Sequence, residues 1–207
     1  SNLWKEKFDR EFTDKDVDKL YAKFEPMLLK SLSEYTTPIP GVLETVKELR
    51  EMGLKIGSTT GYTDIMMDIV TKGAEEKGYK PDFFITPDST NSLGRPYPYM
   101  IYRNMEALEL IHPWTIIKVG DTNSDIMEGL NAGVWTVGVI VGSSNMGLSE
   151  KEYNNLSEDE KAKKEIEVSE NFKEIGADFT IKTMEELPEL VERINKMLSE
   201  GKMPNGK

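Results

Sequence analysis

The sequence predicts an α/β protein built on a doubly wound parallel sheet, preceded by part of a small helical domain. Three observations predict it. From Gly41 onward, short apolar runs alternate with stretches of helical periodicity. The runs lead into polar or Gly-containing loops before the next helix, as strands joined by helical crossovers do. Residues 1–36, by contrast, read as helical.

In that first segment Thr13 suits an N-cap, and Val17, Leu20, Tyr21, Phe24, Leu28, Leu32 and Tyr35 recur at helical spacing. The stripe predicts packing against a neighbour, with Met27 widening it and Pro26 placed to kink it. Lys5, Lys7, Lys15, Lys19, Lys23 and Lys30 mostly flank it as a solvated face. The run TTPIPG, Thr36 to Gly41, breaks the pattern and predicts a hinge. The expected division is therefore 1–36 helical, 37–200 core and 201–207 a flexible tail.

Within the core, Val42 to Glu51 is a helix stopped by Met52-Gly53, and residues 54–60 are a strand entering a polar loop. Thr63 to Lys77 is the next helix, with Gly78 as its stop, and residues 82–86 the next strand. Arg95-Pro96 opens a helix to about Leu110. A strand over 116–120, a helix through Asn131 stopped by Gly133, and a strand over 135–141 follow. Residues 149–175, rich in Glu, Lys and Asn, form a surface helical region. An edge strand over 178–181 and an amphipathic helix from Met184 to Leu198 complete the chain.

Composition narrows the function classes. The net charge of −11, from 37 acids and 26 bases, opposes a nucleic-acid or anionic-membrane surface as main partner. No cysteine is present, which removes thiol nucleophiles, disulfides and zinc–thiolate sites. The one histidine, His112, sits in a helix-to-strand connection and reads as structural. No run approaches the roughly 20 apolar residues of a membrane helix, and no secretory leader is evident, so a cytoplasmic protein is expected.

Three strand-end loops carry polar groups fit for chemistry. Ser58-Thr59-Thr60-Gly61-Tyr62 offers hydroxyls and backbone N–H groups at a helix start, a cradle for a phosphate oxygen or simply an N-cap. Gly94-Arg95-Pro96 sets a guanidinium beside a Pro-started helix, where it can clamp a phosphoryl oxygen or serve as an ordinary surface charge. Gly120-Asp121 and Asp125 place two carboxylates one helical turn apart, suited to Mg²⁺ or to plain helix capping. Hydroxyl, cation and metal-binding acid on successive crossovers are what phosphoryl transfer requires.

In this order Thr60, Arg95 and Gly120-Asp121…Asp125 resemble the second, third and fourth motifs of the haloacid dehalogenase-like superfamily of Mg²⁺-dependent phosphotransferases. The strings KIGSTTGY (55–62), GRPYP (94–98), KVGDT (118–122), WTVGVI (135–140) and GSS (142–144) narrow the likeness to the phosphonoacetaldehyde hydrolase branch, over essentially all of residues 1–195. The resemblance implies a Rossmann-like core, part of a helical cap domain in residues 1–36, and a homodimer through cap helices such as 14–35. It implies cleavage of the carbon–phosphorus bond of a small phosphonate to acetaldehyde and phosphate. On that likeness Thr60 with Gly61 holds a phosphoryl oxygen, and Arg95 neutralises charge. Asp121 ligates Mg²⁺, Asp125 orients that shell, and Tyr62 lies near the substrate.

The branch also implies a nucleophilic aspartate on the first core strand and a cap lysine that forms a Schiff base. Neither matches a residue here, and Lys5 and Lys7 do not occupy the lysine's place. Both are expected upstream of Ser1, with this chain the C-terminal part of a longer protein and inactive alone. Without that central strand, its neighbours are expected to lack ladder partners around an apolar slot. Two other readings remain open: a phosphate-ester phosphatase of the same superfamily, and a non-catalytic α/β binding domain.

Overall fold

The computed structural model describes residues 2–204. The expected tail lies, for residues 205–207, outside the described residues, and so does Ser1. In chain order the elements are α1 (Asn2–Phe8), α2 (Asp14–Leu32), α3 (Val42–Glu51), β1 (Gly57–Thr59), α4 (Asp64–Glu76) and β2 (Phe83–Ile85). Then come α5 (Tyr99–Ala107), β3 (Ile117–Gly120), α6 (Asn123–Ala132), β4 (Trp135–Val139), α7 (Glu150–Asn154), α8 (Glu158–Ile175), β5 (Phe179–Ile181) and α9 (Leu187–Ser199).

Helix α5 starts at Tyr99 rather than at Arg95, because Pro96 and Pro98 supply no N–H and disfavour helical backbone before them. The acidic region between β4 and β5 is two helices. Ser149 with Glu152 and Ser157 with Glu160 each close a capping box, so each opens its own helix. Gly201 and Lys202 close α9 by donating to Leu198 O and Met197 O at 3.0 Å each.

The chain divides into two compact units. One runs through Pro38 and takes in Ile65–Tyr79; the other comprises Ile39–Asp64 and everything from Lys80 onward. In the first unit α4 approaches the end of α2 through a glycine. A Cβ on Gly73 would sit 2.5 Å from Thr36 Oγ1. The Lys77 ammonium donates to Thr36 Oγ1 (2.8 Å) and Thr37 Oγ1 (2.9 Å). Helix α2 runs on through Pro26. Its apolar stripe does not pack as expected: Leu32 is buried, but Val17, Leu20, Tyr21, Phe24 and Tyr35 are exposed. These rings and chains form an apolar surface with no covering element among the described residues.

In the second unit every strand pairing is parallel, as expected, but the strands form two ladders rather than one. Strand β1 pairs with β2, and β4 lies between β3 and β5. Among the described residues, β1 has a partner only in β2, and β3 only in β4. The three-stranded sheet is covered on both faces, and every residue of β4 is buried. Trp135, Val137 and Val139 face Leu187, Leu190, Val191 and Ile194 of α9. On the other face Gly138 takes the ring of Phe172 from α8, so closely that a Cβ there would lie 2.5 Å from Cδ2. Gly129 of α6 admits Thr136 in the same way.

A carboxylate joins the two strands of the smaller ladder to α3. Asp82 accepts from the Ile56 N–H and from Arg50 Nη1, both at 2.7 Å, while its own N–H donates to Ile56 O. Arg50 Nη2 also donates to Lys80 O at 2.7 Å. Charge-assisted bonds of this kind are worth about 1.5–3 kcal/mol when dry and less at a half-exposed joint. Asp82→Ala is therefore expected to lower unfolding free energy by about 1–2 kcal/mol, read from urea midpoints at unchanged slope.

Candidate functional site

The ends of β1 and β3 and the start of α6 bring the sequence-predicted residues together in the second unit. Past β1 the chain turns at Thr60, whose Oγ1 accepts from the Tyr62 N–H at 3.1 Å. Gly61 lies against the Arg95 guanidinium: a Cβ there would be 2.9 Å from Nη2. A side chain at 61 would thus displace the arginine. Arg95 arrives from a loop in which Asn91 and Ser92 adopt positive φ (52° and 61°), and the Arg95–Pro96 peptide is cis. Asn131 of α6 donates to Pro96 O at 2.9 Å and fixes that loop on the helix.

Asp125 is the hub. It is the third residue of α6 and closes a capping box with Thr122, accepting on Oδ2 from the Thr122 N–H (3.2 Å) and hydroxyl (2.5 Å). Its Oδ1 takes Arg95 Nη1 at 2.6 Å and Lys118 Nζ at 2.9 Å. Gly120 makes this possible, since a Cβ there would overlap Asp125 Cβ at 2.2 Å. Burial pushes the Asp125 carboxyl up, but the Lys118 charge, the Thr122 hydroxyl and Arg95 outweigh it and hold the carboxyl at about 2.

Asp121 stands exposed on the loop between Gly120 and Thr122. Partial desolvation of its carboxyl, reinforced by the Asp125 charge, raises it above the ordinary aspartate value, against the pull of its own N–H, Arg95 and Lys118. The loop is held from the far side: Ser144 donates its N–H and its hydroxyl to Asp121 O, both at 3.2 Å. Asn145 Nδ2 reaches Asn123 Oδ1 (2.6 Å) and Asn171 Oδ1 of α8 (3.0 Å).

Two neighbours, Lys118 and Glu128, were given no site role in the sequence reading. Lys118 on β3 is also ion-paired with Glu128 Oε2 (2.8 Å) and donates to Thr59 Oγ1 (2.8 Å), and Thr59 Oγ1 donates to Glu128 Oε2 (2.9 Å). Glu128 is fully buried, and its Oε1 finds no partner among the described residues. The expected apolar slot between β1 and β3 is therefore polar on the face toward α6, because Lys118 spans it. The signal for these residues was present: a lone lysine inside an apolar strand must find a carboxylate.

The cluster holds three carboxylates (Asp121, Asp125, Glu128) against two cations (Arg95, Lys118). Both oxygens of Asp125 are engaged and Glu128 is fully buried, so Asp121 is the exposed carboxylate of the three. No group of three or more His, Cys, Asp or Glu side chains able to hold a metal occurs among the described residues. The donor set fits an ion that takes one or two carboxylates and keeps its waters, as Mg²⁺ does. His112 is stacked on Trp114, ring centroids 4.2 Å apart, away from this chemistry. No helix among the described residues is long and apolar enough to cross a membrane.

Comparison with known proteins agrees with this architecture. The family model for haloacid dehalogenase-like hydrolases matches residues 2–139. The phosphonoacetaldehyde hydrolase of Lysinibacillus sphaericus is 53% identical over 196 residues, which is 95% of this chain and 73% of that protein. The bifunctional phosphonoacetaldehyde hydrolase/aminoethylphosphonate transaminase of Clostridioides difficile is 55% identical over 194 residues. Those residues are 93% of this chain but 30% of the bifunctional protein. Among solved structures, a phosphonoacetaldehyde hydrolase-like protein from Oleispira antarctica superposes with a TM-score of 0.89 at 31% identity. The match covers 98% of this chain and 73% of that one.

Proposed function

This chain belongs to the phosphonoacetaldehyde hydrolase branch of the haloacid dehalogenase-like hydrolases, and from that membership we propose that it binds the phosphoryl group during carbon–phosphorus cleavage of phosphonoacetaldehyde. The observation that carries the reading is the Arg95 guanidinium, which touches the Gly61 turn and is ion-paired to Asp125. One cation thus connects the hydroxyl loop to the acidic loop.

In this reading Thr60 Oγ1 and the Gly61 N–H hold one phosphoryl oxygen, and Arg95 neutralises charge on the group. Tyr62 borders the substrate. Asp121 would hold Mg²⁺. Asp125, fixed by Thr122, Arg95 and Lys118, keeps Arg95 and the Asp121 loop in register. Bound Mg²⁺ supplies positive charge that the cluster, one cation short, lacks.

We place the nucleophilic aspartate and the imine-forming lysine outside residues 1–207, on a segment that adds a strand between β1 and β3. The single-sided ladders of those two strands support this. The lysine condenses with the aldehyde, so that when the carbon–phosphorus bond breaks its electron pair passes into an enamine. The aspartate accepts the phosphoryl group, and water then releases phosphate. We further place the protein in the cytosol as a homodimer joined through the exposed stripe of α2.

The test is borohydride trapping on the intact protein. With phosphonoacetaldehyde and Mg²⁺, reduction is expected to alkylate one lysine and abolish phosphate release. Undiminished hydrolysis of phosphate esters with no labelled lysine would replace this reading by an ester phosphatase.

A further inference from the structure

Lys118 has no part in the reaction just described, yet its ammonium meets three groups on two other elements, donating to one and ion-paired with two. They are Thr59 of β1 at 2.8 Å, Asp125 of α6 at 2.9 Å, and Glu128 one turn further along α6 at 2.8 Å. The Lys118 side chain is only 10% exposed, and Glu128 is wholly buried. Strands β1 and β3 share no ladder hydrogen bond. The ammonium ties β3 to the end of β1, and the bond from Thr59 Oγ1 to Glu128 ties β1 to α6.

We propose that Lys118 is a positioning residue that fixes the distance between the phosphate-holding turn at Thr60-Gly61 and the acidic loop at Asp121–Asp125. This rests on the phosphoryl-binding reading above. Thr59 immediately precedes that turn, and Asp125 pins the acidic loop through Thr122. The ammonium therefore bears on both sides of the phosphate without touching it. A countercharge for Glu128 would require one contact. The geometry shows three, and two of them lead to the two walls of the site.

The distinction is testable because neutralising Lys118 and Glu128 together removes the tie without stranding a buried charge. In the intact protein, Lys118→Met combined with Glu128→Gln is expected to fold with a melting temperature near that of the unaltered protein. It is expected to lose about 10²-fold in kcat, as an ångström-scale misplacement does. The dissociation constant of inorganic phosphate, measured by calorimetry with Mg²⁺ present, should rise roughly tenfold, equivalent to about 1.4 kcal/mol.

Thr59→Val, which leaves the lysine–glutamate pair intact, covers the case in which the double variant does not fold. It should shift both constants in the same direction by a smaller factor. Constants unchanged in the folded double variant, or in Thr59→Val alone, overturn the proposal and leave Lys118 as a countercharge only. If the unaltered protein fails to turn over phosphonoacetaldehyde, the hydrolase reading falls. The phosphate constant still decides the role of Lys118 in that event.

Discussion

Replacing Arg95 by Ala in the intact protein is expected to lower kcat/KM for phosphonoacetaldehyde by about 10²–10³-fold, the usual effect of losing a preorganised charged donor. The fold should survive, because Asp125 keeps Lys118 on Oδ1 and Thr122 on Oδ2. What disappears is a cation that meets both the Gly61 turn and Asp125. Removing it leaves one cation facing three carboxylates, a field that repels a dianionic group. Arg95→Lys should recover part of the loss, since an ammonium restores charge but not the two-pronged reach to Gly61 and Asp125. Steady-state kinetics with thermal melts on the same samples check this; unchanged turnover in a folded Arg95→Ala protein would remove Arg95 from the site.

Asp125→Ala should act first on stability. Its carboxylate answers Lys118, Arg95 and the capping hydroxyl of Thr122, all in a buried setting. Stripping one partner from such a network costs about 3–5 kcal/mol, because the charges left behind stay desolvated. The pH dependence follows from the direction of the shift. The Asp125 carboxyl sits at about 2 in the folded protein, against 3.8 as its ordinary value. Its stabilisation is thus fully present above about pH 4, and falls away as the pH drops toward 2 because the unfolded chain protonates first. That part is worth on the order of 2 kcal/mol. Asp125→Asn should flatten this acid limb in denaturant titrations between pH 2 and 5; an unaltered limb would assign it to other carboxylates.

Much of the core was legible because the chemistry of its punctuation is local. Gly133 in the left-handed conformation ends α6, and the apolar run through β4 marks a strand covered on both faces. Thr60 and Asp121 could be named because each sits just past a strand, Asp125 because it opens α6 one turn later, and Arg95 because it stands in the Gly- and Pro-marked loop before α5. Pairing between strands was harder. Nothing in residues 57–59 or 117–120 states that β1 and β3 fail to bond each other, since ladder partners are chosen by long-range geometry. Lys118 was hidden by its neighbours: inside Ile116–Gly120 it passes for one polar residue in a buried strand. The α2 stripe was read as core from its periodicity, yet periodicity specifies only which face needs cover, not whether cover is present.

The packing of Phe172 onto Gly138 reaches beyond the core it fills. The residue before Phe172 is Asn171, whose amide oxygen receives Asn145, and Asn145 in turn holds Asn123 beside Asp121. The stiffness of the acidic rim is thus borrowed from an aromatic ring about two layers away. A slightly bulkier residue at 138 would be felt as a looser grip on the incoming anion, at temperatures where the protein is still fully folded.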